Sequence, residues 1–242
     1  MLVFRRIFFC VGIAALLGAT PGCTQSVASM AIPDAPVPQV PVSSSRDSDT
    51  PSVAKTLPYA PLYSRTIFTT QRARPLLGVD KLKYAAVEMT RPIDILHAAV
   101  SAGFSQYEGG DPKYGDGPQA YGARYGAAVL RESSYRLFSD GIFPILFDED
   151  PRYYRMGASG TVRQRLWYSF TRSFVTRSDA GRPVPNFATL IGHASGAALV
   201  LAYYPSTSQG RGVVLRTFAD SMAVQVSLDM VREFVPKLRF LF

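Results

Sequence analysis

Cysteine is absent after residue 23, and the two cysteines of the 242-residue chain are Cys10 and Cys23. The part of the chain that folds can therefore form no disulfide and offers no thiolate for catalysis or for metal binding. Histidine is almost as scarce, since the sequence contains only His97 and His193. Only these two imidazoles are therefore available for proton transfer or metal ligation by histidine.

Motifs for nucleophilic catalysis and nucleotide binding are also missing. No serine lies in a Gly-x-Ser-x-Gly elbow. The glycine-rich stretch at residues 109–117 follows no strand pattern and contains no Lys followed by Ser or Thr. The net charge is +8, but the arginines are scattered, unlike those of a nucleic-acid-binding face. We therefore predict no cofactor and no nucleic acid. The positive excess would suit an anionic envelope surface, but the scattered arginines favour a protein that is basic without such a partner.

The first 23 residues have the three parts of an export signal. Arg5 and Arg6 give a positive start, residues 7–17 form an uncharged apolar run, and residues 18–23 are small and turn-prone. The apolar run is shorter than the roughly 20 residues that a membrane span needs. Residues 1–23 are therefore predicted to be a signal peptide that directs the protein to the cell envelope, facing the periplasm.

Cys23 is the favoured end of this signal, in the position of the acylated cysteine of bacterial lipoproteins. The residues before it depart from the usual lipoprotein box, so cleavage after Ala28 or Ala31 stays an alternative. The Arg5–Arg6 pair also leaves the twin-arginine export route open. We expect lipidation at Cys23 and attachment to a membrane through this N-terminal lipid.

Residues 24–57 have the composition of a flexible tether. Prolines at positions 33, 36, 38 and 41 favour extended polyproline II backbone, and the Ser- and Asp-rich stretch after them favours no regular structure. Such a segment cannot bury enough apolar surface to fold. The folded domain is therefore predicted to span residues 58–242.

Helical periodicity dominates the folded part. The predicted helices lie near residues 80–89, 92–107, 119–138, 161–177, 186–204 and 212–235. The clearest is 161–177, where Val162, Leu166, Phe170 and Phe174 recur every four residues beside Trp167, the pattern of an apolar face. Since strand-type alternation is rare, we predict an all-α domain, a single helical bundle of about five to six helices.

Local signals mark some of the helix boundaries. Pro92 suits the first turn of its helix, Ser159 and Asn186 are plausible N-caps, and residues 178–181 form a helix stop.

Small residues predict close packing between some of these helices. Gly122 and Gly126, and likewise Gly192 and Gly196, stand four residues apart, a spacing that lets helix backbones approach. The stretch 187–204 contains no charge, so a membrane-inserted helix is one alternative. Its many Ala and Gly residues favour instead a core helix of the bundle.

The two histidines lie on predicted helices rich in small residues. If these helices pack together, His97 and His193 could bind a metal or relay a proton, with a further ligand from Asp94 or Glu132. The competing interpretation is a pair of packing histidines that hydrogen-bond to backbone or tyrosine. We favour this second interpretation and predict no metal site.

Three consecutive acidic residues, Asp148, Glu149 and Asp150, form the other candidate site. Neighbouring carboxylates can perform acid–base catalysis or hold a hard cation. Asp150 followed by Pro151 also fits a helix N-cap with proline in the first turn, and Arg152 and Arg155 can neutralise the run. No catalytic residue is assigned, and the two histidines and these three acids stay as candidates.

Several separated motifs resemble one protein family. They are Asp150–Tyr154 (Asp-Pro-Arg-Tyr-Tyr), Trp167–Tyr168, Phe174–Gly181, Tyr203–Pro205 and Glu233–Pro236. The chain thus resembles, over about residues 90–237, a family of uncharacterised exported bacterial helical envelope proteins with an acidic-Asp-Pro-Arg-Tyr motif. The resemblance implies export but no known activity and no catalytic residues. That family often has a histidine where this chain has Asp148, so a site built on that position is in doubt.

The function expected from these features is a structural, adaptor or surface-binding role in the cell envelope. The partners would be a membrane, through the lipid, and an anionic surface or another protein. One alternative is a metal- or acid/base-dependent hydrolase of envelope polymers that uses the histidines and the acidic run. A second alternative is a membrane-embedded helical protein.

Overall fold

The computed structural model describes residues 57–235, so the predicted signal peptide, nearly all of the tether and Cys23 lie outside the described residues. The predicted all-α class is confirmed, because six helices of 11 residues or more make up most of the described chain. With one single-turn helix they are α1 (Gly78–Met89), α2 (Pro92–Tyr107), α3 (Pro118–Arg136), α4 (Phe143–Leu146), α5 (Val162–Arg172), α6 (Phe187–Leu199) and α7 (Arg211–Phe234).

Local sequence sets the start of several helices. Pro92 and Pro118 occupy the first positions of α2 and α3, where the missing N–H has no intrahelical partner to lose. The Asn186 side chain accepts a hydrogen bond from the Thr189 N–H at 3.0 Å, which confirms the predicted cap of α6.

α5 differs from its prediction at both ends. Its cap is Thr161, whose hydroxyl accepts from the Gln164 N–H at 3.3 Å while the Gln164 side chain accepts from the Thr161 N–H at 2.9 Å. The predicted cap, Ser159, lies instead in a preceding 3₁₀ turn. The helix ends at Arg172, earlier than predicted, because Val175–Ser178 form a strand.

Short strands were the feature that the sequence did not predict. β1 (Thr66–Ile67) pairs in parallel with β3 (Tyr153–Tyr154), and β4 (Val175–Ser178) pairs antiparallel with β2 (Glu149–Asp150) and β5 (Pro183–Pro185). None exceeds four residues, too few to show a period of two. The residues after β4 form a hairpin turn rather than a helix stop.

A widened helical turn connects α3 to α4. Residues 137–142 form a π-helix, a form found mostly as single turns and often at functional sites. Within it, a Cβ on Gly141 would lie 3.0 Å from that of Ala85 on α1. The opposite side of the π-helix contacts α6, so this turn lies between two helices of the bundle.

The glycines of α6 pack as predicted. A Cβ on Gly192 would lie 2.7 Å from the backbone of Ser139, and one on Gly196 would overlap the ring of Tyr135. Both approaches are closer than a real side chain tolerates, so α6 can reach the π-helix and α3 only with glycine at these positions.

The glycines of α3 do not behave in the same way. A Cβ on Gly122 or on Gly126 would meet no heavy atom within 4 Å, and both residues are exposed. The prediction of close packing at these two positions is therefore wrong. The spacing of the glycines is the same in both helices, and the two pairs differ only in whether another segment of the protein packs against them.

Candidate functional site

Many charged side chains lie in the interior of the bundle. Fourteen are buried among residues 57–235: Arg65, Lys81, Glu88, Asp94, Arg124, Arg136, Asp140, Glu149, Asp150, Arg152, Arg177, Asp229, Arg232 and Glu233. The buried apolar residues are mostly alanine and tyrosine, and no phenylalanine between residues 57 and 235 is buried. Charged residues are rarely buried in water-soluble proteins unless paired, so these require partners.

Ion pairs between helices supply many of those partners. Arg136 on α3 donates to both carboxylate oxygens of Asp94 on α2, at 2.8 and 3.1 Å. Arg65, just before β1, pairs with Glu88 on α1 at 2.8 Å. Burial alone would raise the pKa of Asp94, but Arg136 and Arg65 lower it to about 2. Asp94, considered above as a metal ligand, is thus held as the partner of an arginine.

The π-helix contributes a less satisfied carboxylate to the same interior. Asp140 Oδ2 lies 3.6 Å from Arg136 Nη1, and Oδ1 accepts from the Ser139 hydroxyl at 3.3 Å. Burial raises the pKa of Asp140 in spite of the nearby arginines. On α7, Arg232 pairs with Asp229 at 2.5 Å, and burial lowers the pKa of Arg232.

Glu233 connects α7 to α5 and to the segment after β3. Its carboxylate accepts from the Tyr153 hydroxyl at 3.1 Å, from the backbone N–H groups of Met156 and Gly157 at 3.0 and 2.9 Å, and from Arg165 Nε at 2.9 Å. The side chain is completely buried. Four donors to one buried carboxylate fix three chain segments against each other.

The three consecutive acids take three different environments. Asp148 is exposed and has a positive φ of 52°. Glu149 accepts from the backbone N–H groups of Phe187 and Ala188, at 3.0 and 3.1 Å, and so binds the positive N-terminal end of α6. Burial raises the pKa of Glu149. Successive side chains of a strand point to opposite faces, so Glu149 and Asp150 of β2 point apart, and Asp148 lies outside the strand.

Asp150 is an arginine partner and not a helix cap. Arg152 donates to both of its carboxylate oxygens, at 2.9 and 2.6 Å, and the Tyr154 hydroxyl donates at 2.7 Å. Burial would raise the pKa of Asp150, but these hydrogen bonds lower it. Arg177 lies over the Tyr154 ring at 4.5 Å. The predicted capping role was wrong because β3, not a helix, follows Pro151, whereas the predicted neutralisation by Arg152 is confirmed.

His97 has a carboxylate partner. Its Nδ1 lies 3.2 Å from Glu132 Oε1, and Arg131 Nη2 lies 3.3 Å from the same oxygen. Burial would raise the pKa of Glu132, but the hydrogen bond from His97 and the charge of Arg131 lower it to about 2. Glu132, the other predicted ligand, therefore pairs with one histidine and one arginine.

His193 is in a different environment. It stacks on the Tyr135 ring with centroids 4.9 Å apart, and neither ring nitrogen has a hydrogen-bond partner. Burial lowers the pKa of His193 to about 3, so the ring is neutral. Packing was predicted, but the expected hydrogen bond to backbone or tyrosine is wrong. No group of three His, Cys, Asp or Glu residues in the described chain could hold a metal ion.

Large apolar side chains occupy the outer faces of the helices. Every helix has at least one that is exposed: Val79, Leu82, Val87, Ile95, Leu96, Val100, Leu130, Ile145, Leu146, Val162, Leu166, Trp167, Phe170, Phe187, Ile191, Leu199 and Leu215. On α5 and at the start of α6 some of these side chains contact another aromatic ring, since the ring centroids of Trp167 and Phe170 are 5.8 Å apart and those of Phe147 and Phe187 are 5.9 Å apart. Exposed apolar patches mark contact sites in proteins. We therefore take the outer helix faces, held by the charged interior, as the candidate functional site.

α5 shows most clearly that apolar side chains point outward and polar side chains point inward. The predicted apolar face, with Trp167 52% exposed, points outward, while Tyr168 and Ser169 are buried. Sequence reasoning missed this orientation. The only available signal was a second, more polar stripe made by Arg165, Tyr168, Ser169 and Arg172, also at helical spacing, and periodicity alone cannot choose between two stripes of one helix.

No family profile, curated protein or solved structure matches this chain. Among residues 57–235, no helix combines the length and the apolar character needed to cross a membrane.

Proposed function

We propose that this protein is an envelope-anchored lipoprotein with a structural, adaptor or surface-binding role. The supporting observation is the reversed distribution of side chains, with charged groups paired inside and large apolar groups on the outer helix faces. Apolar surface is unfavourable in water at about 25 cal/mol per Å². A partner that covers these faces therefore gains affinity from them.

The buried ion pairs hold the outer faces in position. Arg136 and Asp94 connect α3 to α2, and Glu233 connects α7 to α5 through Arg165. Breaking a buried pair leaves an uncompensated charge and typically costs 3–5 kcal/mol. The helices are therefore held at fixed positions, which suits a surface that binds by shape and apolar contact.

The envelope location in this proposal rests on the predicted signal, tether and acylated Cys23. The resemblance to exported bacterial envelope proteins agrees with it. Mass spectrometry of the mature N-terminus tests this part, with diacylglyceryl on Cys23 as the expected result. An N-terminus at Ser29 or Ile32 would instead contradict lipidation.

In-cell photo-crosslinking tests the contact role itself. A benzoylphenylalanine placed at Leu96, Phe187 or Leu215 in the full chain should form adducts with a protein or lipid, because these positions are apolar and exposed. The matched control is Arg182, which is exposed and polar. Absence of adducts at all three apolar positions would refute the contact role.

The hydrolase alternative is favoured by one observation, the pair of His97 with Glu132. A carboxylate that orients an imidazole is a common arrangement for a general base. If the protein cleaves envelope polymers through this pair, His97→Ala should abolish cleavage of purified peptidoglycan while His193→Gln retains it. Equal turnover by both variants would remove His97 from the mechanism.

A further inference from the structure

We infer that the outer face of α5, with the aromatic residues that continue it, docks on a bilayer surface containing anionic phospholipid. This inference rests on the proposed contact function and names its partner. The surface, called the aromatic ridge, consists of Trp167, Phe170, Phe174, Phe187 and Phe147.

The orientation of α5 provides the first argument. Ser169 is completely buried, whereas Trp167 is exposed over half of its surface. The buried side is secured by polar bonds, since Arg165 donates to Glu233 and the Tyr168 hydroxyl donates to the Tyr154 carbonyl at 2.5 Å. α5 is thus fixed with its apolar side outward, the arrangement of an interfacial amphipathic helix.

Continuity of the aromatic ridge provides the second argument. The rings of Trp167 and Phe170 are 5.8 Å apart, and those of Phe170 and Phe174 are 5.5 Å apart. The Asn186 N–H donates to the Phe174 carbonyl at 2.9 Å, which places the start of α6 next to the end of this row. There Phe187 and Phe147 are 5.9 Å apart. The ridge therefore extends beyond a single helix.

Charge provides the third argument. Residues 151–178 contain no Asp or Glu and six arginines. Arg152 and Arg165 are neutralised by buried carboxylates, but Arg163 on α5 is exposed. Asp148 is exposed beside Phe147 at the other end of the ridge, so the positive charge lies at the Trp167 end, where Arg163 precedes Trp167 by one helical turn. Each basic side chain near an anionic membrane strengthens binding about fivefold.

These features together favour lipid over other occupants. Trp and Phe with flanking arginine suit the boundary between headgroups and acyl chains. A second copy of the chain would bring two positive faces together, and like charges opposed at an interface are unfavourable. Phosphate headgroups supply the complementary charge.

Trp167 is the only tryptophan in the chain, so its fluorescence reports on the aromatic ridge alone. The full chain is reconstituted into vesicles of phosphatidylcholine, with or without phosphatidylglycerol, and with brominated acyl chains as quencher. We expect a shift of the emission to shorter wavelength and strong quenching in the vesicles with phosphatidylglycerol. High salt should weaken both effects.

Variants separate charge from apolar contact. Arg163→Gln should lower the ratio of docked to undocked protein about fivefold, and Phe170→Ser about tenfold. The matched controls are Lys83→Gln on α1 and Leu57→Ser before it, exposed positions outside the ridge and outside the candidate site, which should leave the quenching unchanged. Circular dichroism checks that every variant is folded.

Three outcomes would overturn the inference. Equal quenching with and without phosphatidylglycerol would refute the anionic partner. Shielding of Trp167 that depends on protein concentration without lipid would mean that a second copy covers the ridge. The contact function would then be retained, and lipid would be rejected as the partner. Emission typical of water in every condition would refute lipid docking, and the crosslinking experiment would then decide the contact function separately.

Discussion

In most water-soluble proteins the inner faces of the helices are apolar and the outer faces are polar. In this protein that difference is reversed. On α5 the inner face contains Tyr168 and a fully buried serine, while the outer face contains Trp167 and Phe170. Inside, stability comes from specific partners, since a buried charge is tolerated only when paired. Outside, the apolar groups contribute little to the isolated fold and remain available for a partner. The inner face therefore maintains the structure, and the outer face is the one assigned a function.

Glu233 should give the largest effect on stability. Glu233→Ala removes a buried carboxylate that accepts four hydrogen bonds and leaves Arg165 without its carboxylate partner, so we expect a loss of about 3–5 kcal/mol. Urea unfolding followed by circular dichroism measures it. Glu233→Gln should lose less, and Asp116→Ala, at an exposed position, should change stability by less than about 0.5 kcal/mol.

The two glycine pairs should respond in opposite directions. Gly192→Ala forces a Cβ to within 2.7 Å of the Ser139 backbone and should destabilise the protein by about 1–3 kcal/mol. Gly126→Ala meets nothing within 4 Å and should stabilise it by about 0.4–1 kcal/mol. Thermal unfolding compares them, and equal effects would contradict the packing of α6.

Asp94 and Asp140 should also differ in their contributions to the free energy of unfolding, although both are buried near Arg136. The pKa of Asp94 is lowered to about 2, so its charged form stabilises the fold above the unfolded pKa, and that contribution is lost as the pH falls towards 2. Asp94→Asn should cost about 2 kcal/mol at neutral pH. Asp140 has a raised pKa, so Asp140→Asn should cost nothing or stabilise. Urea unfolding at several pH values tests both.

His193 should make stability depend on mildly acidic pH. Its pKa is lowered to about 3 in the folded protein, so the unfolded chain takes up a proton first, and stability falls as the pH drops below the unfolded value near 6.5. The loss should be about 1 kcal/mol between about pH 7 and pH 5.5. His193→Gln should remove this contribution. If the free energy of unfolding of that variant depends on pH as in the unmodified protein, the imidazole of His193 is not kept from protonation in the folded state.

An outer position should have the smallest effect. Leu215 on α7 is 68% exposed, so Leu215→Gln should change the free energy of unfolding by less than about 0.5 kcal/mol. A loss comparable to that of Gly192→Ala would mean that the outer faces support the fold itself. Thermal unfolding of the two variants under the same conditions makes the comparison.

Much of the local structure followed from the sequence, but the candidate site did not. Pro92 and Asn186 marked helix starts correctly, because caps and first turns depend on residues within one turn of each other. Asp150 was misassigned because Asp-Pro fits a helix start as well as the strand that is present. Glu233 appeared only within a motif, and no partner was predicted for its carboxylate, since its donors lie 68 to 80 positions away.

By itself the sequence determined the secondary structure class, the approximate positions of six helices and the apolar stripe of α5. The tertiary structure alone decided which face points inward. A helical period describes one helix in isolation, and α5 has an apolar stripe and a polar stripe that both satisfy it. The choice depends on complementary groups from distant segments, such as the carboxylate of Glu233 for Arg165, and these meet only when the chain has folded.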